Sequence, residues 1–77
     1  MKPEKEVQEF MEMVGRSIKA HREAASLTQE DMSEIADYKY FQRIEYGQKN
    51  ITLKTVFKIC KKLNIQPKDL FNFKIKK

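Results

Sequence analysis

Helix start and stop signals recur at short intervals from Thr28 onward, and they limit the fold more than any other feature of the chain. Thr28 stands as an N-cap before "QEDMSEIA", with Glu30 and Asp31 in the first turn, where the helix dipole favours negative charge. Asp37 is placed to cap "YKYFQRIE", and Gly47 follows as its stop. Thr52 caps a further helix that Asn64 ends, and Pro67 sits near the first position of a short last one around "IQPKDLF". Upstream, Val7, Phe10, Met11, Val14, Ile18 and His21 follow helical spacing. They predict one amphipathic helix from about Glu4 to Ala25, with Pro3 at its start and Gly15 allowing a neighbour to come close. No β-branched run alternates with a period of two, so strands have no support. The expectation is an all-α chain of five helices with a long N-terminal one. The second buries Met32, Ile35 and Ala36, and the fourth presents Leu53, Val56, Phe57, Cys60 and Leu63 as one apolar stripe.

At 77 residues, this is one domain near the lower size at which a chain buries an adequate core alone. No apolar run approaches the roughly 18 residues of a membrane span. The charged opening "MKPEKEVQEF" lacks the apolar stretch of a signal peptide, and the single cysteine, Cys60, suits a reducing cytoplasm. The net charge of +5 is unevenly spread. Residues 1–36 hold five Lys/Arg against eight Asp/Glu, whereas residues 37–77 hold eleven against three. A polyanion-facing half is one reading of that segregation, and lysine-rich solubility is the other.

The stretch "YKYFQRIEYG", placed on a helix at about 100° per residue, divides its aromatics between faces. Phe41 and Ile44 fall together on the inner side. Lys39, Gln42, Arg43 and Tyr46 share the opposite side, with Tyr38 and Tyr40 flanking. Such a face suits the major groove, because Arg pairs with guanine O6/N7, Gln with adenine N6/N7, and Lys with guanine or phosphate. A solvated helix face is the alternative. Two short helices meeting at a tight junction, "TQEDMSEIA" then "DYKYFQRIE", favour the groove.

These residues, with "LTQEDM", "RIEYG" and "NITLKTVFKICKKLNIQPKDLF", resemble the Cro/CI-like helix-turn-helix family, also called the XRE family. The likeness runs from about Val14 to Phe71. "YFQRIEYGQKNITLKT" is especially similar to controller proteins of restriction–modification systems and related small repressors. The resemblance implies a five-helix, lambda-repressor-like domain with a core of about residues 14–71, an N-terminal helix extension over 1–13 and a basic tail over 72–77. It implies that the helix over about 38–46 reads double-stranded DNA, with Tyr38, Lys39, Gln42 and Arg43 toward bases. Thr28, Gln29, Tyr40, Tyr46, Lys49 and Asn50 then meet the DNA backbone. Arg22 and Glu45 match a partly buried ion pair between the first and third helices. The family usually carries a glycine and about two more residues between helices two and three. Here Ala36 runs straight into Asp37, so helix two must end near Glu34, with Ile35 and Ala36 as the turn.

The function so implied is a cytoplasmic, bacterial or phage, sequence-specific transcriptional regulator, acting as a homodimer on an inverted-repeat operator. Ile65, Leu70, Phe71, Phe73 and Ile75 are the expected dimer surface, with the N-terminal helix, Val7 and Phe10, as the rival. The alternative function is a protein-interaction module such as the DNA-binding antitoxin subunit of a toxin–antitoxin pair. Glu4, Glu6, Glu9 and Glu12 form an acidic patch, most simply a solvated face, with RNA polymerase or another protein as the partner it would otherwise meet. His21 reads as a hydrogen-bonded boundary residue, Cys60 as inert core, and Met11, Met13 and Met32 as packing. No nucleophile–base pair, metal-ligand spacing or phosphate loop stands out, so neither an enzyme nor a metal or cofactor is expected.

Overall fold

Helix α1 runs from Pro3 to Ala24 in the computed structural model, which describes residues 3–75. At 22 residues it is about 33 Å long, and the remaining elements pack along it. Val14 and Ile18 are buried, while Phe10, Met11 and His21 are only half-buried. Val7 is half exposed, so the inner stripe is shorter than the spacing predicts. The side chains of Leu53 and Phe71 stand across an open groove from it rather than against it. The helix ends with Ser26 in the left-handed region at φ 60°, where the Leu27 amide donates back to the Arg22 carbonyl.

The expected second helix is where sequence and structure part. Glu30–Met32 form a single 3-10 turn, not an α-helix, so the described residues hold four α-helices rather than five. The amides of Asp31, Met32 and Ser33 each donate to the carbonyl three residues back. The physical reason lies in the short junction. The chain must bury Met32 completely, tuck Ile35 and Ala36 against the core, and reach an extended Asp37 at ψ 164° within a few residues. A helix continued to Glu34 leaves too little chain for that path.

Helix α2 spans Tyr38–Glu45 and is started by Asp37, whose carboxylate accepts from the Tyr40 amide at 2.9 Å. It closes as expected at Gly47, which has φ 77°, with the Gly47 amide donating to Ile44 and the Gln48 amide to Arg43. Helix α3, Leu53–Leu63, is capped by the Thr52 hydroxyl and closed by Asn64 at φ 57°. Its buried face is rotated from the predicted stripe. Ile59, Cys60 and Leu63 are interior and Val56 is half-buried, while Leu53 and Phe57 face solvent at 85% and 63% exposure. The side of α3 that meets α1 and α4 carries Ile59, which the stripe omitted.

Helix α4, Pro67–Leu70, is a single turn held by a capping box between Gln66 and Asp69. Leu70 is fully buried, and its carbonyl accepts from the Ser17 hydroxyl at 2.6 Å, which ties α4 to α1. His21 Nε2 lies 3.2 Å from the Asp69 carbonyl on the same seam. After α4, Phe73 stacks edge-on to Phe10 with ring centres 5.7 Å apart. Of the expected basic tail, Lys76 and Lys77 lie outside the described residues. No described helix is long and apolar enough to cross a membrane.

Candidate nucleic-acid interface

Helix α2 has an inner side that fixes it and an outer side left open. Phe41, Ile44 and Glu45 are buried. Tyr38, Lys39, Tyr40, Arg43 and Tyr46 are exposed and Gln42 is half-buried, so the residues picked from the helical wheel do share the outer side. Among the described residues the ion pairs are Arg22–Glu45 and Lys62–Glu34, and neither Lys39 nor Arg43 takes part in one. Both cations stand on a rigid helix without an internal partner.

The inner side is fastened by charge as well as by packing. Arg22 Nε donates to Glu45 Oε2 at 2.6 Å and Nη2 donates to Oε1 at 3.1 Å, a two-pronged contact between α1 and the last residue of α2. Arg22 Nη1 donates to the Leu27 carbonyl at 2.7 Å. The hydrogen bond it donates to Glu45 raises the Arg22 guanidinium above its already high range, and burial only partly opposes this. Gln29 Nε2 donates to Glu45 Oε1 at 2.9 Å, so its side chain turns inward to the same carboxylate. Gln29, expected to meet the DNA backbone at the start of a second helix, stands instead before a single 3-10 turn. Its second amide hydrogen is what remains for such a contact.

Thr28 has a defined local partner. Its hydroxyl accepts from the Asp31 amide at 3.1 Å, and its own amide donates to Asp31 Oδ2 at 2.7 Å. These bonds to Thr28 hold the Asp31 carboxyl below its ordinary value of 3.8. The loop after α2 carries Lys49, half-buried, and Asn50, exposed. Lys49 Nζ sits 5.3 Å from the centre of the Tyr40 ring, a cation–π contact that links the loop to the first turn of α2. Cys60 is interior, and burial pushes its thiol up, away from the reactive thiolate. Among the described residues no cluster of His, Cys, Asp and Glu could hold a metal ion.

A capped helix with an unpaired cationic face, joined by a short turn to a preceding helical turn and backed by a buried Arg–Glu pair, is the arrangement of helix-turn-helix domains. A helix-turn-helix family model matches residues 18–70. The chain belongs to the XRE-type helix-turn-helix family. Among solved structures it is similar to the restriction-modification controller protein C.AhdI from Aeromonas hydrophila, at 30% sequence identity and a TM-score of 0.74. That match covers 79% of this chain and 96% of the other. No curated protein sequence matches it.

The expected dimer surface is split by the structure. Leu70 is interior and offers nothing to a partner, and Phe73 is engaged with Phe10. Ile65 is half-buried, while Phe71 and Ile75 are exposed. Leu53 and Phe57 are further exposed apolar residues. With Phe71 they border a groove of about 540 Å³ between α3 and α4, floored by Val56, Cys60 and Ile65. Sequence reasoning also passed over Gln8, which reaches the loop after α2. Its partner lies 39 residues away, and nothing local in the sequence signals the bond.

Proposed function

We propose that this chain is a sequence-specific regulator of transcription that inserts α2 into the major groove of double-stranded DNA. The observation that carries the reading is the unpaired outer face of α2, with Lys39 and Arg43 exposed and Gln42 between them, on a helix whose other side is buried. Arg43, Lys39 and Gln42 read base edges, with Tyr38 at the start of the helix. Tyr40, Tyr46, Lys49 and Asn50 grip the DNA backbone, joined by Thr28 and the free amide hydrogen of Gln29 from the preceding turn. Membership of the family supports this, and so does the likeness to a protein described as a restriction-modification controller. Control of restriction–modification genes is the corresponding biological role.

The regulator acts as a homodimer on an inverted repeat. One eight-residue helix makes too few base contacts for a unique genomic site, and two-fold pairing doubles them. The exposed Leu53, Phe57 and Phe71 supply apolar surface for such pairing, which a lone domain of this size rarely leaves uncovered. The two α2 helices then lie about one DNA turn apart, roughly 34 Å.

The test begins with selection of bound sequences from random DNA, followed by titrations across salt. Affinity falls roughly 10³-fold or more between about 50 and 200 mM salt if several phosphates are neutralised. Arg43→Ala costs about 1–3 kcal/mol on the selected site and much less on random DNA. A binding constant indifferent to salt overturns the nucleic-acid reading. An equal loss on both DNAs makes Arg43 a backbone contact instead.

A further inference from the structure

The first half of α1 precedes the residues matched by the family model, which begin at Ile18, yet it touches the DNA-facing side of the domain. Gln8 Nε2 donates to the Gly47 carbonyl at 2.9 Å and to Glu12 Oε2 at 3.1 Å. A side-chain amide has two donor hydrogens, and both are used, so the amide is held in one orientation. The approach of α1 to this loop is close. A Cβ on Gly47 would lie 2.7 Å from the Glu12 Cα, and the residue already has φ 77°, so only glycine fits.

Gly47 opens the loop that leads to α3, and Ile51 near its far end packs against the core. Between these anchors stand Gln48, Lys49 and Asn50, with Lys49 laid over the Tyr40 ring. The loop is therefore pinned at its start by a residue from outside the shared module. We infer that Gln8 is a positioning residue for DNA binding, holding the Gly47 carbonyl so that Lys49 and Asn50 are presented to the phosphate backbone. The inference rests on the proposed backbone role of that loop.

The test uses a neutral replacement of similar length, Gln8→Met, in the full chain, with Lys49→Ala and the double variant beside it. Gln8 carries no charge. A change in the salt dependence on its replacement therefore reports the displacement of another residue's charge, which a loss of fold stability alone does not produce. Binding to the selected operator is followed by fluorescence anisotropy over a salt series. Gln8→Met weakens binding about threefold to tenfold, as expected for one hydrogen bond. It also flattens the slope of log K against log salt by up to about 0.9 per chain, the share of one phosphate. Lys49→Ala flattens the slope similarly, and the double variant loses little more than Lys49→Ala alone, because both act through one contact. Gln8 is exposed, so the fold survives its replacement, and an unchanged far-ultraviolet spectrum and melting profile verify this. If Lys49→Ala flattens the slope while Gln8→Met leaves affinity and slope unchanged, or if the two losses multiply, the positioning role is overturned. If Lys49→Ala itself leaves the slope unchanged, the backbone reading of the loop falls, and the role of Gln8 falls with it.

Discussion

Replacing Glu45 with alanine tests what holds α2 in place. Glu45 is 4% exposed and accepts three hydrogen bonds, two from Arg22 and one from Gln29. Arg22 is 7% exposed in the native protein, and in Glu45→Ala it keeps its bond to the Leu27 carbonyl but loses its counter-charge. Gln29 is half-buried and can turn to water, so most of the cost falls on Arg22. An unpaired buried charge of this kind costs about 3–5 kcal/mol. A domain of 77 residues has a total stability of roughly 4–12 kcal/mol, so the variant loses a large share of it and unfolds at 25 °C only if the wild type lies toward the low end of that range. Its melting temperature drops by at least about 12 °C, since each kcal/mol is worth roughly 4–8 °C at this size. The double replacement Arg22→Met with Glu45→Leu removes both charges and leaves chiefly the Leu27 carbonyl without its donor. That is a cost of about 1–2 kcal/mol, partly offset by the new apolar contacts. Urea titration of wild type, Arg22→Met, Glu45→Leu and their combination closes the cycle, with the slope of free energy against urea unchanged. If Glu45→Ala costs less than about 1 kcal/mol, or if the double variant loses the sum of the singles, the pair is not the desolvated unit described.

Gly15→Ala places a Cβ 2.4 Å from the Glu45 carbonyl oxygen, a backbone atom that cannot move alone, so α1 and α2 must separate. The variant loses about 1–3 kcal/mol despite its better helix propensity, and a gain in melting temperature would refute the close approach. The Asp31 carboxyl titrates below its ordinary value of 3.8, so it adds stability above that pH which is lost as pH falls through its folded value. The melting-temperature advantage of wild type over Asp31→Asn is therefore constant at neutral pH and shrinks below about pH 4; an advantage that grows on acidification contradicts the bonds to Thr28. Phe57→Asp puts a charge on the exposed apolar face without touching the core, and sedimentation is expected to find it monomeric at micromolar concentration, against the dimer proposed for wild type. An unchanged dimer moves the interface to the N-terminal half of α1.

Much of the fold was legible because its signals are local. Asp37, Thr52, Gly47, Asn64 and Pro67 act through the few residues beside them, and each sits at the helix end its chemistry predicts. The outer face of α2 follows from helical period alone. Two features escaped because tertiary packing decides them. Met32 could have sat in a full α-helix, but the distance to Asp37 set by core burial draws that segment out into a 3-10 turn. On α3 Leu53 and Phe57 are as apolar as Ile59, and the sequence does not say which of them joins Cys60 and Leu63 in the core. The closeness of Gly15 to α2 was readable as a possibility, since a glycine inside a long helix invites approach, whereas its partner, the Glu45 carbonyl, was not.

The shortened junction gives the carboxylate of Glu45 a wider task than an ion pair. In the family pattern a glycine between the two helical elements helps to set the angle at which the second leaves the first. This chain has no glycine there, and its first element is a single turn too brief to impose a direction. What ties α2 to both neighbours lies at its far end. Glu45 receives Arg22 from α1 and Gln29 from the turn, so one side chain joins the three segments whose mutual pose decides where Lys39 and Arg43 point. Aspartate at this position is one methylene too short to reach both donors. Glutamine has one acceptor oxygen where three donated hydrogen bonds must be met. The single acid amid the basic residues of α2 thus fits the geometry of the junction, and it is buried where Lys39 and Arg43 are exposed.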